Sequence, residues 1–268
     1  DAFDALILDQ FGVLHDGIRP YPGVADCLER LHAAGKRMAV LSNSGRRARH
    51  NAEKLAGLGF AMSAFDAVTT SGEVAWESLR ARADPFHRGL GRRCVLIAEV
   101  DSDDFVEGLG LETVPSADRA DFLLAISVGA SAGVLAEREA LLQEGARHGI
   151  PMLCANSDIV RPAGDVLVPA PGALAQRYAE LGGLVHAYGK PLQSFFEHGL
   201  AKLQGVARER VLMVGDSLEH DILGAQGAGI ASVYIEGGIG SGHSLHRPGD
   251  TSAAGAARPT YRMTQFRW

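Results

Sequence analysis

The chain has 268 residues, a formal net charge of −6 at pH 7, and 46% hydrophobic against 22% charged residues. These values exclude a disordered chain and a broad basic face for nucleic acid; the length fits one large α/β unit or two domains. Glycine is in excess, at 33 residues without a Gly-X-Y period, which excludes a collagen-like chain. It points to tight connections or to backbone that approaches a ligand closely.

Taken in order, apolar Ala5–Leu8 predicts a strand that ends at Asp9. Tyr21-Pro22-Gly23 opens a helix with Val24, Cys27, Leu28 and Leu31 on one face, closed by Gly35. Met38–Leu41 is a second strand and runs into Ser42-Asn43-Ser44-Gly45. Next come a helix to about Leu58, a weak strand at Ala67–Thr69 and a helix from Gly72. Ala83–Gly91, rich in Asp, Pro, His, Arg and Gly, reads as a linker. Strands are then expected at Cys94–Ala98, Phe122–Val128, Met152–Cys154 and Val166–Val168, with helices at Gly133–Arg147 and Gly172–Leu181. The last part reads as strand Val185–Tyr188, helix Leu192–Leu203, strand Val211–Val214, helix Leu218–Ala228 and strand Ile230–Ile235. Gly237–Pro259 reads as a long loop, before an apolar tail (Tyr261, Met263, Phe266, Trp268) expected to dock on the core. The β–α alternation predicts an α/β protein with parallel sheets covered on both faces.

Cys27, Cys94 and Cys154 lie far apart, with no Cys-x-x-Cys pair, so a zinc site or redox dithiol has no support. Sparse, odd cysteines fit a reducing compartment, and a cytoplasmic location is expected. No apolar run approaches the ~20 residues that span a bilayer, so no membrane partner is expected. No secretory leader is visible, although the chain begins at Asp1 without Met.

In an open α/β sheet, ligands bind beyond the carboxyl ends of the strands. Asp9 lies after the first predicted strand, Ser42-Asn43-Ser44 after the second, Gly189-Lys190-Pro191 after the strand from Val185, and Gly215-Asp216-Ser217 after the strand from Val211. Singly, each is an ordinary turn or capping residue. Together they offer a nucleophilic carboxylate, a hydroxyl with backbone amides, a lysine and a second carboxylate, which can hold a phosphate and a divalent cation.

These segments resemble the four motifs of the haloacid dehalogenase superfamily: Ile7-Leu8-Asp9-Gln10-Phe11-Gly12, Leu41-Ser42-Asn43-Ser44, Tyr188-Gly189-Lys190-Pro191 and Val214-Gly215-Asp216-Ser217-Leu218-Glu219-His220-Asp221. The insert between the second and third resembles the α/β cap of class IIA, the p-nitrophenyl-phosphatase-like group. Ala155-Asn156-Ser157-Asp158 and Pro171-Gly172-Ala173-Leu174 are similar to degraded forms of that cap's motifs. The resemblance implies a Rossmann-like core in residues 1–82 and 184–268, with the cap in 83–183. It implies a phosphatase of a small phosphorylated metabolite, sugar-like or aryl, working through an aspartyl-phosphate at Asp9. Ser42, Asn43 and Lys190 would hold the phosphate, with Lys190 also serving catalysis. Mg²⁺ would sit on Asp9, Asp216, Asp221 and the backbone carbonyl of Phe11. Asn156 and Asp158 would face the substrate from the cap, and relatives often dimerise through that cap.

Phe11 departs from the pattern. Family phosphatases carry there a second Asp that protonates the leaving group. Its loss costs on the order of 10²–10⁴ in rate. Good leaving groups would offset that, or His15, the nearest titratable side chain in sequence, would substitute. A catalytically silent phosphate-ligand sensor is the alternative. A dehalogenase or phosphonatase-like enzyme also lacks that Asp, but needs a helical cap after the first motif, for which the residues between Asp9 and Pro22 leave no room. The basic run Arg46, Arg47, Arg49 and His50 reads as a solvated helix face or as a lure for an anion, and Gly237–Gly242 as a loop or an anion nest.

Overall fold

The computed structural model describes residues 2–99, 104–163, 166–238 and 256–268. The chain divides into two compact units. One comprises residues through Ser42, Arg49–Thr69 and Lys190–Trp268; the other comprises Asn43–Ala48 and Thr70–Gly189.

The first unit is built on a six-stranded sheet of order β13-β12-β11-β1-β2-β3. Its strands are β1 (Ala5–Leu8), β2 (Arg37–Ser42), β3 (Ala67–Thr70), β11 (Val211–Gly215), β12 (Ala231–Ile235) and β13 (Tyr261–Met263). β1 pairs in parallel with both β2 and β11, and β11 in parallel with β12. All four β1 side chains are buried, as expected of a strand covered on both faces. Helix α1 (Val24–Ala33) buries Val24, Cys27 and Leu28 and turns out through Gly35 at φ 72°, a left-handed position that suits glycine. Helices α2 (Ala48–Gly57), α7 (Gln193–Ala201) and α8 (Leu223–Gly227) complete the layers. The chain leaves β1 toward β2 on one side, while β11 lies on the other. The sheet's topological switch point therefore sits at the carboxyl ends of β1 and β11, where such sheets place their ligands.

The second unit has its own five-stranded sheet, order β10-β7-β6-β4-β5: β4 (Arg93–Ile97), β5 (Glu112–Thr113), β6 (Phe122–Ala125), β7 (Met152–Cys154) and β10 (Val185–Ala187), all parallel. Helices α3 (Ser71–Ala81), α4 (Pro85–Gly89), α5 (Val134–His148) and α6 (Pro171–Glu180) belong to it. Tyr178 of α6, fully buried, anchors its core and donates to Ile150 O at 2.5 Å. Gly183 packs against that ring, so close that a Cβ would lie 2.3 Å from Tyr178 Cε1.

Four expectations are corrected. The 83–91 segment is not a plain linker: Asp84 caps α4 by accepting from His87 N–H, and Pro85 opens it, a start signal legible in the sequence. Val160–Ala163 forms strand β8, which makes an antiparallel hairpin with β9 (Val166–Pro169), so the unit is not purely parallel. The helix expected over Leu218–Ala228 is a π-helical turn, Leu218–Ile222, continued by α8. In the apolar tail only Phe266 enters the core; Tyr261, Met263 and Trp268 are exposed. The expected loop and nest at 237–259 lie mostly outside the described residues.

The second unit also takes in residues 43–48 and 70–82, which the motif spacing assigns to the core. The reason is local: Gly72 N–H and Ser71 Oγ both donate to Ser44 O, and Ser71 Oγ also donates to Ala155 O beyond β7. The three cysteines are free and buried, and burial pushes their thiols up to about 11 or 12. Among the described residues no helix is long and apolar enough to cross a membrane.

The tail gives a direct test. Phe266→Ala is expected to lower unfolding free energy in urea by about 3 kcal/mol. Trp268→Ala, at a side chain left in solvent, is expected to stay within about 0.5 kcal/mol of the parent.

Candidate active site

Asp9 is the first residue past β1, and its N–H donates to Val214 O at 2.9 Å, tying the ends of β1 and β11 together. Asp216 is the first residue past β11. Asp221 lies in the π-helical turn, whose width has a visible cause. Both Asp221 N–H and Ile222 N–H donate to Ser217 O, while Asp221 Oδ2 accepts from Ser217 N–H at 3.0 Å. The turn thus carries Asp221 back against Gly215, where a Cβ would lie 2.2 Å from Asp221 Cγ. Such wide turns recur at functional sites. Asp9, Asp216 and Asp221 each present a carboxylate oxygen, and these oxygens lie within 4.8 Å of one another.

Lys190 enters this cluster from the loop after β10. Its Nζ donates to Asp9 Oδ1 at 2.5 Å and lies 2.7 Å from Asp221 Oδ1. The second contact is an ion pair off the hydrogen-bond direction, so Asp221 Oδ1, wholly buried, has no hydrogen-bond partner among the described residues. Three carboxylates and one ammonium sum to −2. Oxygen donors, an orphaned carboxylate oxygen and that residual charge suit one small divalent cation.

The walls of the cluster are glycine. A Cβ on Gly12, at φ 86°, would lie 1.9 Å from Asp216 Oδ2, and one on Gly238 would lie 2.3 Å from Asp216 Cβ. Gly12 and Gly215 stand out in the sequence beside the motif carboxylates. Gly238 reads there only as punctuation of the tail, and nothing in the sequence marks it as a wall.

Burial is the largest influence on Asp9 and pushes its carboxyl up to about 7, against the pull of Lys190. Burial alone would lower Lys190, but the Asp221 and Asp9 carboxylates outweigh it and hold the ammonium above its ordinary range. Acidification therefore protonates Asp9 first.

Ser42 ends β2, two positions past Val40, which pairs with Leu8. It is buried. Asn43 is buried too, but its side chain is taken: Nδ2 donates to Ser157 Oγ at 3.1 Å and to Asp158 Oδ1 at 2.8 Å, within the second unit. Asn156 turns back on its own loop, its Oδ1 accepting from Asp158 N–H. The basic run is likewise engaged. Arg47 makes a two-pronged pair with Glu73 and stacks 3.7 Å from the Trp76 ring centre, and Arg46 pairs with Glu99.

His15 is not placed as a proton donor. Its ring is fully buried, Nδ1 accepts from Gly17 N–H, and Nε2 lies 3.0 Å from the Gln10 amide. Gln10 Oε1 is otherwise unpartnered, so the amide is better turned to let Oε1 accept from Nε2–H. Burial, then the Lys54 cation, lowers the imidazole to about 4, and it is neutral at pH 7. Phe11 packs edge-on against it, with centroids 4.6 Å apart, and Lys54 Nζ rests 4.9 Å from the Phe11 ring centre. Residues 10–20 fold on themselves, through Leu14 N–H to Gln10 O and Tyr21 N–H to Leu14 O. They hold no helical cap.

Residues 6–112 match the family described as haloacid dehalogenase-like hydrolase, and residues 187–266 match one described as HAD-hydrolase-like. Chronophin of Bos taurus is 32% identical over 246 residues, covering 88% of this chain and 82% of the relative. The crystal structure of a haloacid dehalogenase-like hydrolase from Brucella suis superposes with a TM-score of 0.86 at 27% identity, over 98% of this chain and 96% of that one. Glycerol phosphate phosphatase from Mycobacterium tuberculosis, solved in complex with magnesium, gives a TM-score of 0.71 at 25% identity, over 98% and 75%. Fold and carboxylate cluster define a haloacid dehalogenase-like hydrolase, and the chain belongs to that family. Within it the chain stands among the phosphatases, hydrolases of phosphoric monoesters.

The raised Asp9 carboxyl sets a pH dependence. A folded pKa near 7 against an ordinary 3.8 gives the metal-free protein stability that is full below the ordinary value and lost as pH rises through about 7. A cation that needs the ionised carboxylate acts in the opposite sense. The rise in melting temperature on adding Mg²⁺ is therefore expected to be larger at about pH 8 than at about pH 5.5. It is expected to vanish in Gly12→Ala, whose methyl group occupies the place of Asp216 Oδ2.

Proposed function

We propose that this chain is a Mg²⁺-dependent phosphatase of a small phosphorylated metabolite, sugar-like or aryl, that works through a phosphorylated Asp9. The observation that carries the reading is the buried cluster in which Lys190 bridges Asp9 and Asp221 beside Asp216. Asp9, Asp216, Asp221 and the Phe11 carbonyl would hold the ion. When bound, Mg²⁺ supplies positive charge to the phosphoryl oxygens.

The chain's own residues do the rest. One Asp9 carboxylate oxygen attacks phosphorus, the bond to the leaving oxygen breaks, and an aspartyl-phosphate forms. Water then attacks that phosphorus, releasing inorganic phosphate and restoring the carboxylate. Lys190, Ser42 and the backbone after Ser42 orient the phosphoryl group and meet its charge, which is where most phosphoryl-transfer catalysis arises. Lys190 also keeps Asp9 and Asp221 from repelling the incoming dianion. The second unit serves as a cap of the class IIA type. Three free, buried cysteines support a cytoplasmic setting.

Phe11 limits the chemistry. No carboxylate stands at that position and His15 is neutral and enclosed, so the leaving oxygen departs without a side-chain proton. That favours substrates whose leaving group is already stable as an anion. The same residue favours one second reading, a silent sensor that binds phosphate without turnover.

Mg²⁺-dependent release of p-nitrophenol from p-nitrophenyl phosphate is expected, and its loss in Asp9→Asn. Aryl phosphates are expected to outpace alkyl phosphates by about 10² or more, and Phe11→Asp to narrow that gap. His15→Ala is expected to leave the ratio unchanged. Tight phosphate binding with no turnover across a metabolite panel would establish the sensor instead.

A further inference from the structure

The buried amide of Asn43 joins three chain segments of the second unit. Its Nδ2 donates to Asp158 Oδ1 at 2.8 Å and to Ser157 Oγ at 3.1 Å. Its Oδ1 lies against the α-carbon of Gly189, where a Cβ would come within 2.6 Å. Gly189 stands at φ 111°, and the same missing Cβ would lie 3.1 Å from Ser157 Oγ. Only glycine allows that approach.

Each partner is itself fixed. Asp158 N–H donates to Asn156 Oδ1, and Asp158 O accepts from Gly172 N–H at 2.9 Å. Gly172 packs so tightly that a Cβ would lie 2.4 Å from Ser157 O. On the other side, Ser44 O accepts from Gly72 N–H and Ser71 Oγ, and Gly45 lies against Ile126 O, where a Cβ would come to 2.0 Å. Asp158 therefore acts from a rigid base on an amide that has little room to move.

Chain continuity gives the junction its meaning. Ser42 is one peptide bond before Asn43, and Lys190 is one peptide bond after Gly189. These are the two residues proposed to grip the phosphoryl group. We propose that Asp158, acting through Asn43, is a positioning residue that holds the segments from which Ser42 and Lys190 emerge. The proposal rests on the phosphatase reading above. It gives Asp158 a role different from contact with the substrate's leaving group. Misplacing a phosphate ligand by about 1 Å suffices to cost about 10²-fold in rate.

The test compares Asp158→Ala and Asp158→Asn with the parent. It uses calorimetric titration of inorganic phosphate at saturating Mg²⁺, melting with Mg²⁺ alone, and kcat/KM on one aryl and one alkyl phosphate. Asp158→Ala is expected to weaken inorganic phosphate by about ten-fold, as for loss of a hydrogen bond to a charged group. It is expected to lower kcat/KM on both substrates by one common factor and to leave the Mg²⁺-induced rise in melting temperature intact. Asp158→Asn keeps an acceptor for Asn43 Nδ2 and is expected to recover most of the loss. Unchanged phosphate affinity with a loss on one substrate only would overturn the proposal and make Asp158 a substrate contact. Failure of Asn to rescue would overturn it in favour of the charge. If Asp158→Ala loses its cooperative melt, Ser157→Ala removes the other acceptor, with about three-fold weaker phosphate expected; no change there overturns the proposal. If the parent binds no phosphate and turns over neither substrate, the phosphatase reading itself falls, and the proposal with it.

Discussion

Everything at the candidate site depends on one buried ammonium set among carboxylates. Lys190 lies 2.5 Å from Asp9 and 2.7 Å from Asp221, and Asp216 belongs to the same cluster. Ion pairs sealed from water stabilise little in themselves, because desolvation offsets much of their attraction. Removing one partner, however, typically costs about 3–5 kcal/mol. The arrangement is thus held in place less by attraction than by the penalty for leaving any member alone. The surplus negative charge is left for a cation and the surplus positive reach of Lys190 for a phosphate.

The sheet explains how four distant stretches meet. Parallel pairing of β1 with β2 and β11 brings the carboxyl ends of these strands side by side. Residues placed one position past a strand end then converge without any long loop. Asp9 and Asp216 arrive in this way, and Ser42 closes the strand next to Asp9. Asp221 needs a different device, since it stands five residues further along than Asp216. The wide turn around Ser217 O brings it back.

Much of this is legible in the residues. Short apolar runs ending in Asp, Ser or Gly-Asp mark buried parallel strands and the loops at their carboxyl ends, because both faces of such strands must be apolar. The motif carboxylates and Lys190 stand at those ends. Contact between segments far apart in sequence is the part that periodicity does not carry. Nothing local to Asn43 says that its amide is taken by Ser157 and Asp158. Nothing local to His15 says that burial leaves it neutral. The hairpin of β8 and β9 is hidden at Val160–Ala163, where a proline interrupts the apolar pattern of an edge strand. The capping of α4 by Asp84 is a local signal, outweighed by a composition that resembles a linker.

The π-helical turn has a consequence for how this region tolerates length changes. A π-turn is an α-helix carrying one surplus residue, and each residue of an α-helix rotates the next side chain by about 100°. Deleting one residue between Leu218 and Asp221 would restore a regular helix and leave α8 undisturbed downstream. It would also swing the carboxylate away from Gly215 and out of the cluster. Substitutions along this stretch alter contacts, but a single-codon deletion alters the phase. Phase is therefore the property most tightly constrained here, and a chain one residue shorter would keep its fold while losing a metal ligand.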